Sequence, residues 1–333
     1  MRYVESINAA LHQIMKADDR VVLIGEDLHD PYGGSFKASQ GLSTDYPGRV
    51  ISTPISEAAI TGAAIGMAMR GMRPIVEIMF GDFILLTMDQ IVNHASKYKW
   101  MFNNQVSVPI IIRTPMGGGR GYGPTHSQSL ESFFISVPGI SIYVPSIFND
   151  PGKMLINIMN NSDDPVLFIE NKLSYPKKIN LSDQEGDFKI KRTIEGNGCE
   201  TVCLSMFPDE KDDVTIFTYG GMVEIAIEAA KQVFFEEEVL CSIIVCNSLK
   251  PIANNAIDLA NNSNQIIILE EGNKTGGWGA EMSALISEKY FKSIYSPIIR
   301  IGSENHPIPC AISLERKTLP SVEKLKKVIL KSV

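Results

Sequence analysis

Residues 52–71 read STPISEAAITGAAIGMAMRG. The β-branched run just before and into it, "RVIST" (49–53), reads as a short strand, and a turn containing Pro54 follows. From residue 57 Ala, Gly, Ile and Met continue with helical character as far as Arg70. Ser56 is placed to cap that helix, which puts Glu57 in its first turn. Gly62 and Gly66 each cost roughly 1 kcal/mol relative to Ala inside a helix, so they require a reason, such as close approach of another backbone. By position alone, Glu57 is equally an acid drawn to the positive end of a helix dipole.

The same strand-then-helix rhythm spreads outward from this stretch. Strand-like runs appear at 20–25, 73–78, 107–115, 140–145 and 165–171, and helical periodicity at 57–70, 84–99 and 149–160. Strands alternating with helices predict an α/β fold whose mostly parallel sheet is flanked by helices. Residues 172–213 are polar and without period, and read as an interdomain connection with an excursion around Cys199–Phe207. Alternation resumes at "DVTIFTYGG" (213–221) and continues to a closing helix near 320–331, so a second α/β domain follows the first. The lysines of "KLKKVILKSV" read as a solvated face.

At 333 residues the chain exceeds the usual size of one domain. A net charge of −7 argues against a nucleic-acid or anionic-membrane surface. The five cysteines contain no Cys-x-x-Cys pair and suit a reducing, cytoplasmic compartment. The N-terminal "MRYVESINAALHQIMKADDR" is amphipathic rather than a signal peptide, and no apolar run is long enough to span a membrane.

Two glycine clusters invite a nucleotide reading. "GGGRGYG" (117–123) and "TGGWGAE" (275–281) both fail the G-x-G-x-x-G spacing, and no Walker A pattern occurs. His126 follows the first cluster in "GYGPTHSQSLE" (121–131). Loops at the carboxyl ends of parallel strands are where open α/β sheets bind ligands. A lone histidine is nevertheless more often structural than catalytic.

"TPISEAAITGAAIGMAMRGMRPIVEIMFGDF" (53–83), "DQIVNHASKY" (89–98), "VPIIIRTPMGGG" (108–119), "THSQSLE" (125–131) and "LEEGNKTGGWGAE" (269–281) together resemble one family. It is the beta subunit of the thiamine-diphosphate-dependent dehydrogenase component of 2-oxo acid dehydrogenases (pyruvate, branched-chain and acetoin types), within the transketolase-like superfamily. The motifs span nearly the whole chain in matching order. The resemblance implies a pyrimidine-binding domain over 1–190, a linker or insertion over 191–213 and a transketolase C-terminal domain over 214–333.

The resemblance also assigns roles. Glu57 would hydrogen-bond the pyrimidine of thiamine diphosphate and stabilise its imino tautomer, the internal base of the cofactor. Ile55, Met79 and Phe83 would line the pyrimidine pocket, and Glu26 would lie near the cofactor on a proton path. His126 would act near the thiazolium on the bound intermediate and its transfer to a lipoyl group. The family's Gly-Asp-Gly diphosphate motif is missing, and "GDF" at 81–83 is a decoy because Phe83 stands where the second glycine belongs. Mg²⁺ and the diphosphate are therefore expected on an alpha subunit, in an α₂β₂ heterotetramer with a beta–beta contact, and a lipoyl-bearing acyltransferase is a further expected partner. A K⁺ ion near the strand at 108–112 would follow from the resemblance alone.

Two features depart from the family pattern. Arg120, Tyr122 and Pro124 are larger than the usual Gly/Ala-rich stretch before the histidine, and the 196–213 excursion is longer than the usual link. Cys199 and Cys203 within it fall short of a zinc set. The altered loop keeps a second reading open, a split transketolase-like or acyloin-forming carboligase with an aldehyde or carrier-bound acceptor. A scaffold for an alpha partner is the reading outside catalysis.

Overall fold

The computed structural model describes residues 1–194 and 198–333, with the side chains of residues 262 and 263 outside the description. The chain forms two compact units, one of Met1–Met116 with Phe133–Ile179, the other of Gly117–Ser132 with Asn180–Val333.

The first unit is built on β1 (Val21–Gly25), β2 (Val50–Ser52), β3 (Arg73–Glu77), β4 (Ile111–Met116), β5 (Ser141–Tyr143) and β6 (Val166–Asn171). They lie in the order β5-β6-β4-β3-β1-β2, and every pairing is parallel. The register sets Val50 beside Leu23, Leu23 beside Ile75, Ile75 beside Ile111 and Ile111 beside Val166. β1, β4 and β6 are buried along their whole length, as strands covered on both faces must be.

The helix Tyr3–Ala17 buries Tyr3, Ile7, Leu11 and Met15 at helical spacing and packs on the helix Pro151–Asn161. Removing an Ile or Leu side chain of this kind from water contributes roughly 1.5–3 kcal/mol. The second of these helices starts with Asp150 as its cap, which accepts from the Gly152 and Lys153 amides at 3.0 and 3.1 Å. Gly152 is required there because a Cβ would strike the Ser6 carbonyl of the facing helix.

Two local expectations are corrected, and a third is met by nothing within the described residues. Ser56 holds the N-cap position of the helix Glu57–Met69, but its hydroxyl makes no capping bond. The segment expected as one helix over 84–99 is a 3₁₀ turn at Gly81–Thr87, a π-helical turn at Gln90–Ala95 and an α-helix at Ser96–Met101. Among the described residues Gly62 and Gly66 meet no close backbone; the nearest atom to a Cβ on Gly62 is Gln90 Cγ at 3.8 Å. The helix instead leaves Ala59, Gly62, Ala63 and Gly66 exposed along one stripe.

In the second unit β7 (Gln184–Glu185), β8 (Phe188–Ile194), β9 (Glu200–Ser205), β10 (Asp212–Thr218) and β11 (Cys241–Cys246) join the strands Ser263–Asn273 and Ile299–Ser303. Ile299–Ser303, Ser263–Asn273, β10 and β11 pair in parallel, in that order. β9, β8 and β7 extend the sheet antiparallel from β11. Parts of the segment expected as a connection are thus strand, at Gln184–Glu185, Phe188–Ile194 and Glu200–Ser205. Within the 191–213 stretch, residues 195–197 lie outside the described residues. The closing helix Val322–Ser332 buries Leu325 and Ile329, while Lys324 and Lys326 are tied to Glu304 and Glu236 rather than being solvated alone.

Candidate active site

The sheet of the first unit ends in a set of turns that carry five of the expected site residues. β1 and β2 run side by side, with Gly25 opposite Ser52, so Glu26 and the 53–56 turn leave the same end of the sheet. Glu57 follows as the first residue of its helix and is 5% exposed. Helix amides and the dipole favour a carboxylate at that position even when it is buried.

Glu26 is also buried, and its Oε1 has no hydrogen-bond partner among the described residues. Burial, then the charge of Glu57 and then that of Asp27, push the Glu26 carboxyl above its ordinary range. Two buried carboxyl groups within each other's field, one with an oxygen unsatisfied among the described residues, call for a donor that the described residues do not supply. A ring carrying N–H or amino groups is the chemistry that satisfies them, so the residues present fit an aminopyrimidine.

Met79 and Phe83 follow β3, both half-buried. The Phe83 amide donates to the Phe80 carbonyl at 3.0 Å, and the two rings meet edge-on with centroids 6.0 Å apart. Gly81 lies between them because a Cβ there would run into the Met116 side chain. Ile55 is 81% exposed on the turn before Glu57. Asp82, the decoy acid, is buried at the start of the 3₁₀ turn.

An ionic network was not anticipated. Arg113 on β4 is 1% exposed and grips Glu170 on β6 through Nε (2.7 Å) and Nη2 (3.0 Å), and Glu77 on β3 through Nη1 (3.0 Å). Burial opposes the Arg113 charge, but Glu170 and Glu77 more than offset it and hold the guanidinium protonated. Tyr175 donates to Glu170. Glu77 in turn accepts from the Ser35 amide at 2.6 Å and the Ser39 hydroxyl at 2.8 Å, and the Ser35 hydroxyl reaches the Met79 carbonyl at 3.1 Å. The network therefore anchors the loop after β1 and, through it, the segment bearing Met79. Its signal in the sequence was a charged residue inside each of three apolar strands, "RPIVEI", "PIIIRTP" and "PVLFIEN".

His126 belongs to the second unit. Its Nδ1 is 3.0 Å from the Thr125 hydroxyl. The preceding loop is held by its own backbone: the Gly118 amide donates to Glu271 at 2.6 Å, and the Gly119 and Gly121 amides donate to the two oxygens of the fully buried Glu315 at 2.9 and 2.8 Å. Gly119 and Gly121 have φ of +89° and +69°, which side chains rarely adopt. Arg120 Nη1 approaches the Tyr122 hydroxyl at 3.4 Å. Cys199 and Cys203 form no disulfide, and among the described residues no group of three or more His, Cys, Asp or Glu side chains could hold a metal ion.

The transketolase pyrimidine-binding domain model matches residues 1–178, and the transketolase C-terminal domain model matches residues 206–325. The chain is 34% identical to the rice (Oryza sativa subsp. japonica) mitochondrial pyruvate dehydrogenase E1 component subunit beta-1, over 96% of this chain and 83% of that protein. The chain belongs to the beta-subunit family of the 2-oxo acid dehydrogenases. Other members at similar distance are two Bacillus subtilis (strain 168) proteins. The acetoin:2,6-dichlorophenolindophenol oxidoreductase subunit beta is 35% identical, covering 98% of this chain and 95% of that one. The 2-oxoisovalerate dehydrogenase subunit beta is 34% identical, covering 98% and 96%.

Solved structures agree on the fold of this family member. A split-gene transketolase described as an inactive beta4 tetramer superposes with a TM-score of 0.72 at 19% identity, covering 98% of this chain and 96% of that one. The Campylobacter jejuni transketolase superposes with a TM-score of 0.66 at 16% identity, covering 99% of this chain and 46% of that one.

Proposed function

We propose that this chain is the beta half of a heteromeric thiamine-diphosphate-dependent 2-oxo acid dehydrogenase, which decarboxylates a 2-oxo acid and passes the acyl group to lipoyl. The observation that carries the reading is the buried pair Glu26 and Glu57, with its unsatisfied Glu26 oxygen, where the parallel strands end. Thiamine diphosphate, when bound, supplies the nucleophilic carbon at which the oxo acid loses CO₂. Glu57 holds a proton in a shared hydrogen bond to a pyrimidine nitrogen, and the helix N-terminus supports its negative form. Glu26 stores or relays a proton beside it. Phe83 and Met79 wall the ring, and Ile55 completes that wall on the open side. His126 acts as the acid–base group for the bound substrate and its transfer.

An alpha subunit supplies the Mg²⁺ and diphosphate contacts in this reading, in an α₂β₂ assembly with a beta–beta contact. The exposed Ala59, Gly62, Ala63 and Gly66 stripe supports a subunit partner, because small residues allow a helix to approach closely. A lipoyl-bearing acyltransferase, a bound K⁺ and a cytoplasmic location complete the proposal. No helix of the described residues is long and apolar enough to cross a membrane.

The test is co-expression with the alpha subunit encoded nearest to it, then assay of CO₂ release from a panel of 2-oxo acids with lipoyl domain or aldehydes present. Acyl-lipoyl product supports the dehydrogenase. Acyloin product instead would assign the carboligase reading, and an assembled but inert pair would overturn both.

A further inference from the structure

A basic concavity in the second unit lies apart from the chemistry assigned above. Lys274 follows the strand Ser263–Asn273, Arg300 stands on the strand Ile299–Ser303, and Lys324 and Lys327 lie on the closing helix. With Thr275 and Glu304 they line a cavity of about 450 Å³. Four cations thus surround one carboxylate, in a chain whose net charge is −7. That carboxylate is already engaged. Lys324 donates to Glu304 at 2.9 Å, and this hydrogen bond, followed by the Lys324 charge, holds the Glu304 carboxyl below its usual range. Arg300 Nη1 donates to the Lys274 carbonyl at 2.9 Å, which fixes the guanidinium beside Lys274. Like charges gathered in a concavity repel unless an anion lies among them, and concave walls focus their field.

The concavity continues into a second. A cavity of about 550 Å³ shares Asn273, Ser303 and Asn305 with it. The remaining walls of this second cavity include Thr125, Gln128, Ser129 and His306, which offer hydroxyl, amide and imidazole groups, and one carboxylate, Glu271, which already accepts from the Gly118 amide at 2.6 Å and the Ser129 hydroxyl at 3.1 Å. The result is one trough, cationic at one end and polar at the other, where the one carboxylate, Glu271, is engaged by donors of its own chain.

We propose that this trough binds a small phosphate ester, with the phosphoryl group among Lys274, Arg300 and Lys327 and the polar body against Asn305, Ser129 and Gln128. A phosphoryl group has the charge and the acceptor oxygens to meet cations arriving from three different elements, and a guanidinium matches it bidentately. The proposal does not need the dehydrogenase reading, since none of its ligand-holding residues is placed at the thiamine site, although its polar end reaches Thr125, whose hydroxyl is 3.0 Å from His126 Nδ1.

The test is titration calorimetry of the full chain at low ionic strength with inorganic phosphate, glycerol 3-phosphate and glycerol. Both phosphates should bind, the ester more tightly, and glycerol should not. The double variant Arg300→Ala/Lys327→Ala should weaken both phosphates by about tenfold or more with unchanged melting temperature. Gln128→Ala should weaken only the ester. Absence of phosphate binding at about 10 mM, or affinity unchanged in the double variant, overturns the site. Equal affinity for the ester and inorganic phosphate overturns the placement of the body.

Discussion

Glu26 lies within the electrostatic field of Glu57, and both carboxyl groups are buried at the end of the sheet in the first unit. The pair is costly among the described residues, since one oxygen has no donor there and the Glu57 charge disfavours that of Glu26. A site that is unsatisfied by its own chain is one that a ligand completes.

Removing the Glu57 carboxylate tests the catalytic role. Glu57→Gln keeps the shape and loses the exchangeable proton, so turnover of the assembled enzyme should fall by about 10²–10⁴-fold. Assembly, followed by gel filtration, should be unchanged. Wild-type turnover in the variant would remove Glu57 from the chemistry.

Glu26 should leave a mark on the pH dependence of stability. Its folded-state value is raised, so the folded chain holds this proton more tightly than the unfolded chain does. Its stabilising contribution is complete below the unfolded carboxyl value of about 4.3 and is lost as pH rises through the raised folded value. Glu26→Gln should therefore gain melting temperature over wild type as pH rises from acid to neutral. Parallel melting curves for the two proteins across that range would contradict the assignment.

Arg113 should matter mainly to stability. Arg113→Ala leaves Glu77 and Glu170 buried without their counter-charge, and denaturant titration should show a loss of about 3–5 kcal/mol. Tyr175→Phe removes one donor to Glu170 and should cost less, about 1.5–3 kcal/mol.

The buried Glu315 carboxylate should govern the order of the glycine loop before His126. Glu315→Ala removes the acceptor of the Gly119 and Gly121 amides. Hydrogen exchange at those two amides should accelerate while the strands of the same unit keep their protection. Unchanged exchange there would show that packing alone holds the loop.

Thiol reactivity should separate the cysteines. Burial raises the Cys203 thiol to about 11 and raises Cys241 and Cys246 further, and Cys199 is buried. Cys310 is exposed and Cys203 half-buried, so Cys310 should label quickly, Cys203 slowly because its thiol is held protonated, and the other three only on unfolding.

Much of this protein was legible in its sequence because the signals are local. The alternation of apolar strands with periodic helices determined the α/β class, and the "STPISE" turn determined where Glu57 stands, since a turn and a helix start depend on a few adjacent residues. The ordered motifs determined the family. Other features depend on residues far apart in the chain. The polar stretch around β7 to β9 has no clear period, and it becomes strand only because β11 offers a free edge to pair with. Arg113, Glu77 and Glu170 are 36 and 57 residues apart, and only the parallel register makes them one network. The spacing of the 117–123 glycines already excludes a nucleotide loop, but only the fold shows that Glu271 and Glu315, more than 150 residues downstream, are the acceptors of the Gly118, Gly119 and Gly121 amides. Local backbone preference is written residue by residue, but partners for buried charges and amides are chosen by packing, and that exists only in the folded chain.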